Sequence, residues 1–136
     1  MRVLALDYGM ARTGCAISDP TGTLARPLPV IEPSEARSVA DLVRELEVER
    51  VVVGLPLHLS GEEGSQAEIT RTFCEELEAI LEVPVETFDE RLTTRMAEAS
   101  VREGAAAAAD SLAAAHLLES YLAAHGADER GEDVDG

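Results

Sequence analysis

Two runs of apolar residues limit what this chain can fold into more than anything else in it. Val3-Leu-Ala-Leu6 and Val51-Val-Val53 carry no polar side chain at any position. Neither alternates as a strand with one wet face does. Such strands are covered on both faces, the condition met in α/β sheets with helices on either side. The first run ends in Asp7 and Gly9, and in open α/β sheets the site lies just past the carboxyl ends of the strands. Asp7 is therefore read as the first ligand of a metal-dependent phosphodiesterase site.

The remaining elements follow in order. Gly14 to Asp19 predicts a second strand, antiparallel to the first, then a turn over Asp19-Pro-Thr-Gly22. A third strand, from about Leu24 to Ile31, belongs at an edge because Pro27 and Pro29 cannot donate to a ladder. Ser34 is read as the N-cap of a first helix with Val39, Leu42, Val43 and Leu46 inward, ending near Val48. Arg50 to Leu55 is a fourth strand, residues 57–64 a loop, and Ile69, Phe73, Leu77 and Ile80 mark a second helix. Val83 to Phe88 is a fifth strand, followed by a third helix with Leu92, Met96 and Ala99 inward that stops at Gly104. The alanine-rich stretch to His125 makes the last helix. The order βββαβαβαα builds a mixed five-stranded α/β sheet flanked by helices, the ribonuclease H-like arrangement. Residues 1–125 form one domain, and residues 126–136, acidic and without a hydrophobic period, are expected to be a disordered tail.

Composition excludes several classes of function. At 136 residues and 46% hydrophobic, the chain can bury its own core without disulfides or structural metal. No apolar run approaches the ~20 residues of a membrane span. Met1-Arg2-Val3 leads into a strand rather than a signal peptide, so a cytoplasmic protein with no membrane partner is expected. Cys15 and Cys74 match no metal or redox spacing and are expected as reduced thiols. The net charge of −16, from 27 acids against 11 arginines and no lysine, opposes broad binding to a polyanion. The tail has five acids and Arg130, a net −4, leaving −12 on residues 1–125. A nucleic-acid partner therefore needs a local arginine patch, metal ions or high salt.

Three positions can surround a metal ion. Asp7 closes an apolar strand, so its partly desolvated carboxylate needs a cation or donors; backbone N–H groups of the turn to Gly14 are the alternative. Asp89 and Glu90 follow the fifth strand, and if that strand lies beside the first, one of them reaches Asp7. Neighbouring side chains point to opposite faces, so only one of the two can do so. Glu90 is favoured, because Asp89 has a further role at the N-terminus of the next helix. Asp110 shares a helical stripe with Ala113, Ala114, Leu117, Leu118 and Tyr121, which aims an acid at the core; the alternative is an N-cap before Ser111. Acids from two strand ends and a helix suit Mg²⁺ or Mn²⁺, hard ions that take oxygen ligands. Arg12 is a candidate for holding a substrate phosphate, with Arg91 and Arg95 as further candidates. His58, His116 and His125 have no partner at ligand spacing and are read as polar or packing residues.

These residues resemble the YqgF family. The resemblance rests on Asp7-Tyr-Gly-Met-Ala-Arg12-Thr-Gly-Cys-Ala-Ile-Ser-Asp19; on Val53-Gly-Leu-Pro-Leu57 with Gly61-Glu-Glu-Gly64 and Gln66; on Asp89-Glu-Arg-Leu-Thr-Thr94; and on Asp110 with Ala113-Ala-Ala115 and Tyr121-Leu122. It covers about residues 1–125, with the motifs in the expected order. It implies a ribonuclease H-like, divalent-metal nuclease that matures the 5′ end of 16S ribosomal RNA or resolves Holliday junctions. It places the acidic site at Asp7, the Asp89-Glu90 pair and Asp110. Family members commonly carry a basic cluster before the last-helix acid, where this chain has Gly104-Ala-Ala-Ala-Ala-Ala109. A noncatalytic factor that binds ribosomal or transcription proteins is a second class, suited to the acidic surface. A nucleotide-phosphate binder built on the Asp7 to Gly14 turn is a third.

Overall fold

The computed structural model describes residues 1–56, 64–90 and 106–135, the last stretch with side chains from Ser111 to His125. The elements are β1 (Val3–Asp7), β2 (Thr13–Ser18), β3 (Ala25–Ile31), α1 (Ala36–Glu45), β4 (Arg50–Leu55), α2 (Ser65–Ile80), β5 (Val85–Asp89) and α3 (Ala106–Asp135). They build one five-stranded sheet in the order β3-β2-β1-β4-β5. The first three strands are antiparallel, β4 runs parallel to β1, and β5 parallel to β4. The mixed sheet and the edge position of the proline-bearing third strand match the sequence reading. The predicted helix around Leu92, Met96 and Ala99 lies outside the described residues, as does His58.

Both apolar runs are covered on both faces. Leu4, Leu6, Val51 and Val53 pack with Val39 and Val43 of α1 and with Phe73 and Leu77 of α2. Their strand neighbours Val3, Ala5 and Val52 point the other way, onto Ala114, Leu117, Leu118 and Tyr121 of α3. Each large side chain taken fully out of water contributes about 1.5–3 kcal/mol before entropy is counted. Cys15 and Cys74 are both buried and free, and burial pushes each thiol up to about 11.

Several expected details shift. Helix α1 starts at Ala36, with Glu35 at the N-cap position and no side-chain cap, so Ser34 is not the cap; its hydroxyl bonds elsewhere. The buried face of α2 is Ala67, Thr70, Phe73, Cys74 and Leu77, while Ile80 is 51% exposed. Phe73 and Leu77 enter the core as predicted, while Ala67, Thr70 and Cys74 complete that face and Ile80 lies toward solvent. On α3, Ala113 is exposed and Ser111 and Ala115 are buried, which rotates the stripe away from the predicted one. Helix α3 begins at Ala106, so Asp110 is not its N-cap. The same helix runs on through Asp135, across the segment for which the sequence predicts no regular structure.

Midway along its length, α3 is fastened to the sheet by a polar cluster. The Arg50 guanidinium donates to the Tyr121 hydroxyl at 2.9 Å, and that hydroxyl donates to Glu86 Oε2 at 2.5 Å. Arg50 Nε lies 3.5 Å from the same carboxylate oxygen. His125 stacks on the Tyr121 ring at 4.1 Å between centroids, and Phe88 meets that ring edge-on at 5.8 Å. Removing one member of a buried hydrogen-bonded cluster leaves the others unsatisfied, at a cost of about 1–3 kcal/mol. Tyr121→Phe is therefore expected to lower unfolding free energy by about 1–3 kcal/mol in urea titrations with little change in m. His125→Ala, which removes only a stacking face, is expected to cost less.

Candidate active site

Strand parity decides which side chains meet. Val3 and Ala5 face α3, so Asp7, two residues further, continues on that side at the strand's end. Tyr8 goes to the opposite face, where it stacks on Phe73 of α2 with centroids 4.3 Å apart. Asp7 is half-buried and pairs across the ladder with Gly14. In β5, Glu86 reaches Tyr121 and Phe88 joins the α3-side core, so Glu90 carries the same parity past the strand end. Asp89 has the opposite parity.

Glu90 and Asp7 meet across β4, not between adjacent strands. The sequence reading has one of the two late acids reach Asp7 from a strand lying beside the first. The sheet order corrects this, because β4 lies between β1 and β5. Gly54 bridges the gap. A Cβ there would lie 2.8 Å from Glu90 Oε1, 3.0 Å from its Cγ and 3.1 Å from Leu117 Cδ2. The absent side chain leaves the trough in which the Glu90 carboxylate rests, roofed by Leu117 of α3. Sequence reading passed over Gly54 as a site residue; the available signal was a lone glycine at the end of a valine run, which marks a close approach.

The trough leaves the two carboxylates in mutual tension. Burial pushes the Glu90 carboxyl up to about 7, helped by the Asp7 charge, a hydrogen bond with Asp7 and the charge of Asp89. Asp89 thus acts on Glu90 as a charge, while Asp7 touches it directly. Two half-buried acids at one point need a proton or a cation between them. The donors are all carboxylate oxygens, which suits a hard divalent ion. Among the described residues no group of three His, Cys, Asp or Glu forms a metal cage.

The remaining predicted residues divide. Position 110 lies one residue before Ser111, whose hydroxyl donates to the Leu28 carbonyl. That anchors this part of α3 at the Leu6–Cys15–Leu28 row, next to the Asp7–Gly14 pair. The Asp110 side chain, Arg91 and Arg95 lie outside the described residues. Arg12 is exposed in the β1–β2 turn, five residues after Asp7. His116 is buried, with Nδ1 3.5 Å from Glu119 Oε1, and His125 stacks on Tyr121, so both belong to packing. A second residue absent from the sequence reading of this region is Ser34 in its observed role: its hydroxyl donates to the Gly9 carbonyl at 2.5 Å.

A family model described as "RuvX: Holliday junction resolvase" matches residues 1–124. A protein of Anaeromyxobacter sp. (strain Fw109-5), named "Putative pre-16S rRNA nuclease", is 44% identical over 132 residues, covering 90% of this chain and 96% of that protein. One of the same name from Listeria monocytogenes is 41% identical over 134 residues, covering 90% and 97%. Among solved structures, T. thermophilus RuvC in complex with a Holliday junction substrate has a TM-score of 0.59 at 18% identity, covering 93% of this chain and 96% of that one. The fowlpox virus resolvase bound to Holliday junction DNA has a TM-score of 0.57 at 15% identity, with coverage of 91% and 98%. These two likenesses establish the ribonuclease H-like fold. The match over residues 1–124 and relatives above 40% identity make this chain a member of the YqgF family, whose model carries the RuvX description.

Proposed function

We propose that this protein is a divalent-metal-dependent nuclease that hydrolyses a phosphodiester bond in precursor 16S rRNA, maturing its 5′ end. The observation that carries the reading is the Asp7–Glu90 contact over Gly54, in a chain whose relatives are named as pre-16S rRNA nucleases. A junction-resolving activity on branched DNA is the second reading, favoured by the description of the matching family model.

Asp7 and Glu90 would hold Mg²⁺ or Mn²⁺, with Asp110 from α3 as the third ligand and Asp89 as a reserve carboxylate beside Glu90. A bound divalent ion would supply Lewis-acid activation of water and of the scissile phosphate. Asp7 sets the site at the strand end, and Glu90, able to keep a proton up to about 7, removes one of the pair's two negative charges when no cation is present. Arg12 holds a substrate phosphate by its guanidinium fork, and Arg91 is assigned the same task. The net charge of −16 makes such contacts local, since the protein as a whole repels a polyanion. The protein acts in the cytoplasm, alongside ribosomal or transcription proteins. Residues 1–125 carry the activity, and residues 126–136 are an appendage to it.

Three outcomes test the reading. Asp7→Asn is expected to reduce cleavage of precursor 16S rRNA and of a four-way junction in Mn²⁺ by at least about 10³-fold, with an unchanged circular dichroism spectrum. Cleavage equal to wild type would sink the assignment, and no cleavage by wild type on either substrate would favour the noncatalytic class. Gly54→Ala drives a methyl group into Glu90 and Leu117. It is expected to weaken Mn²⁺ binding about tenfold or more by calorimetry, although the substitution adds only one carbon.

The pH dependence follows from Glu90. Its carboxyl is raised in the fold from an ordinary 4.5 to about 7. The stability it contributes is therefore fully present below about 4.5 and lost as pH rises through about 7 in the metal-free protein. Metal requires the ionised form. Mn²⁺ affinity is expected to rise about tenfold per pH unit up to about 7 and then level off, so that metal raises Tm more at pH 8 than at pH 5.5.

A further inference from the structure

The β1–β2 turn, residues 8–12, separates the metal-facing Asp7 from the phosphate-facing Arg12, and one relay of hydroxyls fixes it from outside. Ser34 comes from the connection between β3 and α1. Its Oγ lies 2.5 Å from the Gly9 carbonyl oxygen and 2.7 Å from Thr13 Oγ1. A carbonyl only accepts, so the single Ser34 proton goes to Gly9, and Thr13 donates to Ser34. The direction of the relay is thereby determined: Thr13 to Ser34 to Gly9. Thr13 is fully buried and belongs to β2, so the relay is anchored in the sheet.

The relay reaches Arg12 through Gly9. A Cβ on Gly9 would stand 2.5 Å from the Arg12 carbonyl oxygen, so the turn doubles back until its two ends touch. Holding the Gly9 carbonyl therefore holds the Arg12 backbone. The sequence forgoes something local for this. A serine two residues before α1 is well suited to cap it, yet the helix has Glu35 at its N-cap and no side-chain cap. Departures from a local rule of this kind concentrate at functional sites.

We propose that Thr13 and Ser34 are positioning residues that set the Asp7–Arg12 turn for substrate phosphate, acting through Arg12. This rests on the nuclease reading above. Thr13 shares the parity of Cys15 and Ile17 on the α1–α2 side of the sheet, the face opposite to Asp7 and Glu90, so loss of the pair should register in substrate binding and not in metal affinity.

The test uses the full chain with Mn²⁺ and precursor 16S rRNA. Ser34→Ala and Thr13→Val are expected to raise KM about tenfold with kcat within about twofold, while Thr13→Ser, which keeps the hydroxyl, stays near wild type. In an Arg12→Ala background, Ser34→Ala should add no more than about a twofold effect, because both changes remove the same contribution. Unchanged KM in both single variants, or effects that multiply in the double variant, would overturn the proposal. Calorimetric Mn²⁺ affinity should be the same in wild type and Ser34→Ala; a parallel loss would show that the relay supports the metal site instead.

Two further measurements separate this proposal from the nuclease reading. Affinity for the RNA by fluorescence anisotropy gives the same comparison without chemistry. A wild type that binds but does not cleave counts against the nuclease reading and leaves the relay judged on Kd. Amide hydrogen exchange of residues 8–13 should quicken in Ser34→Ala while exchange in β1 and β4 is unchanged. Unaltered exchange in the turn would overturn the proposal whether or not the chain cleaves RNA.

Discussion

Side chains on a strand alternate, and the site depends on that period more than on any single contact. Val3, Ala5 and Asp7, then Val52 and Gly54, then Glu86, Phe88 and Glu90, all turn toward α3. Apolar members of this set make the core under the helix. The last members, beyond the hydrophobic stretch, are the two acids and the glycine between them. A slip of one residue in any of these strands would turn its contribution to the α1–α2 side. The buried alternate positions Leu4, Leu6, Val51 and Val53 prevent that slip, because they fill the opposite core.

The fold was legible because two strands have no polar positions and a third carries two prolines. Those features give a doubly covered centre and an edge, and the rest of the strand order follows from short connections. The acids were legible as strand-end residues: alternation let only one of Asp89 and Glu90 face Asp7, and the helix-start role open to Asp89 favoured Glu90, whose carboxyl bonds Asp7. What the sequence did not disclose was reach. Nothing in Asp89-Glu90 says that the carboxylate crosses an intervening strand, since that depends on Gly54 lacking a side chain and on Leu117 closing the trough from above. Ser34 was misread for a related reason. Its spacing to α1 suits a cap, and only the tertiary approach of the β1–β2 turn gives its hydroxyl a competing acceptor. Helix faces were legible only coarsely. In α2 and α3 the side chains against the sheet include Ala67, Thr70, Ser111 and Ala114, which a search for large apolar residues does not weight.

Charge and chemistry pull in opposite directions in this chain. An acidic cleft on an acidic protein repels a phosphodiester at long range, and the attraction must come from cations close at hand. The alanines at 105–109 bring no positive charge to the stretch before Asp110. On the proposed reading the β1–β2 turn presents Arg12 to the substrate, and the hydroxyl relay from Thr13 through Ser34 restrains that turn.

The polar cluster around Tyr121 grips α3 midway along its length, about three turns beyond position 110. An α-helix rises about 1.5 Å per residue, so Tyr121 stands about 16 Å along the axis from position 110. A helix is stiff to twisting over that length, and its side-chain tips lie about 5–6 Å from the axis. A roll of about 10° would therefore swing every tip on the stripe by about 1 Å, an error large enough at reacting atoms to cost about a hundredfold in rate. Fixed between Arg50, Glu86 and the flanking rings, Tyr121 acts as a key in a slot, and a packing residue midway along the helix sets the roll of the turns on either side of it.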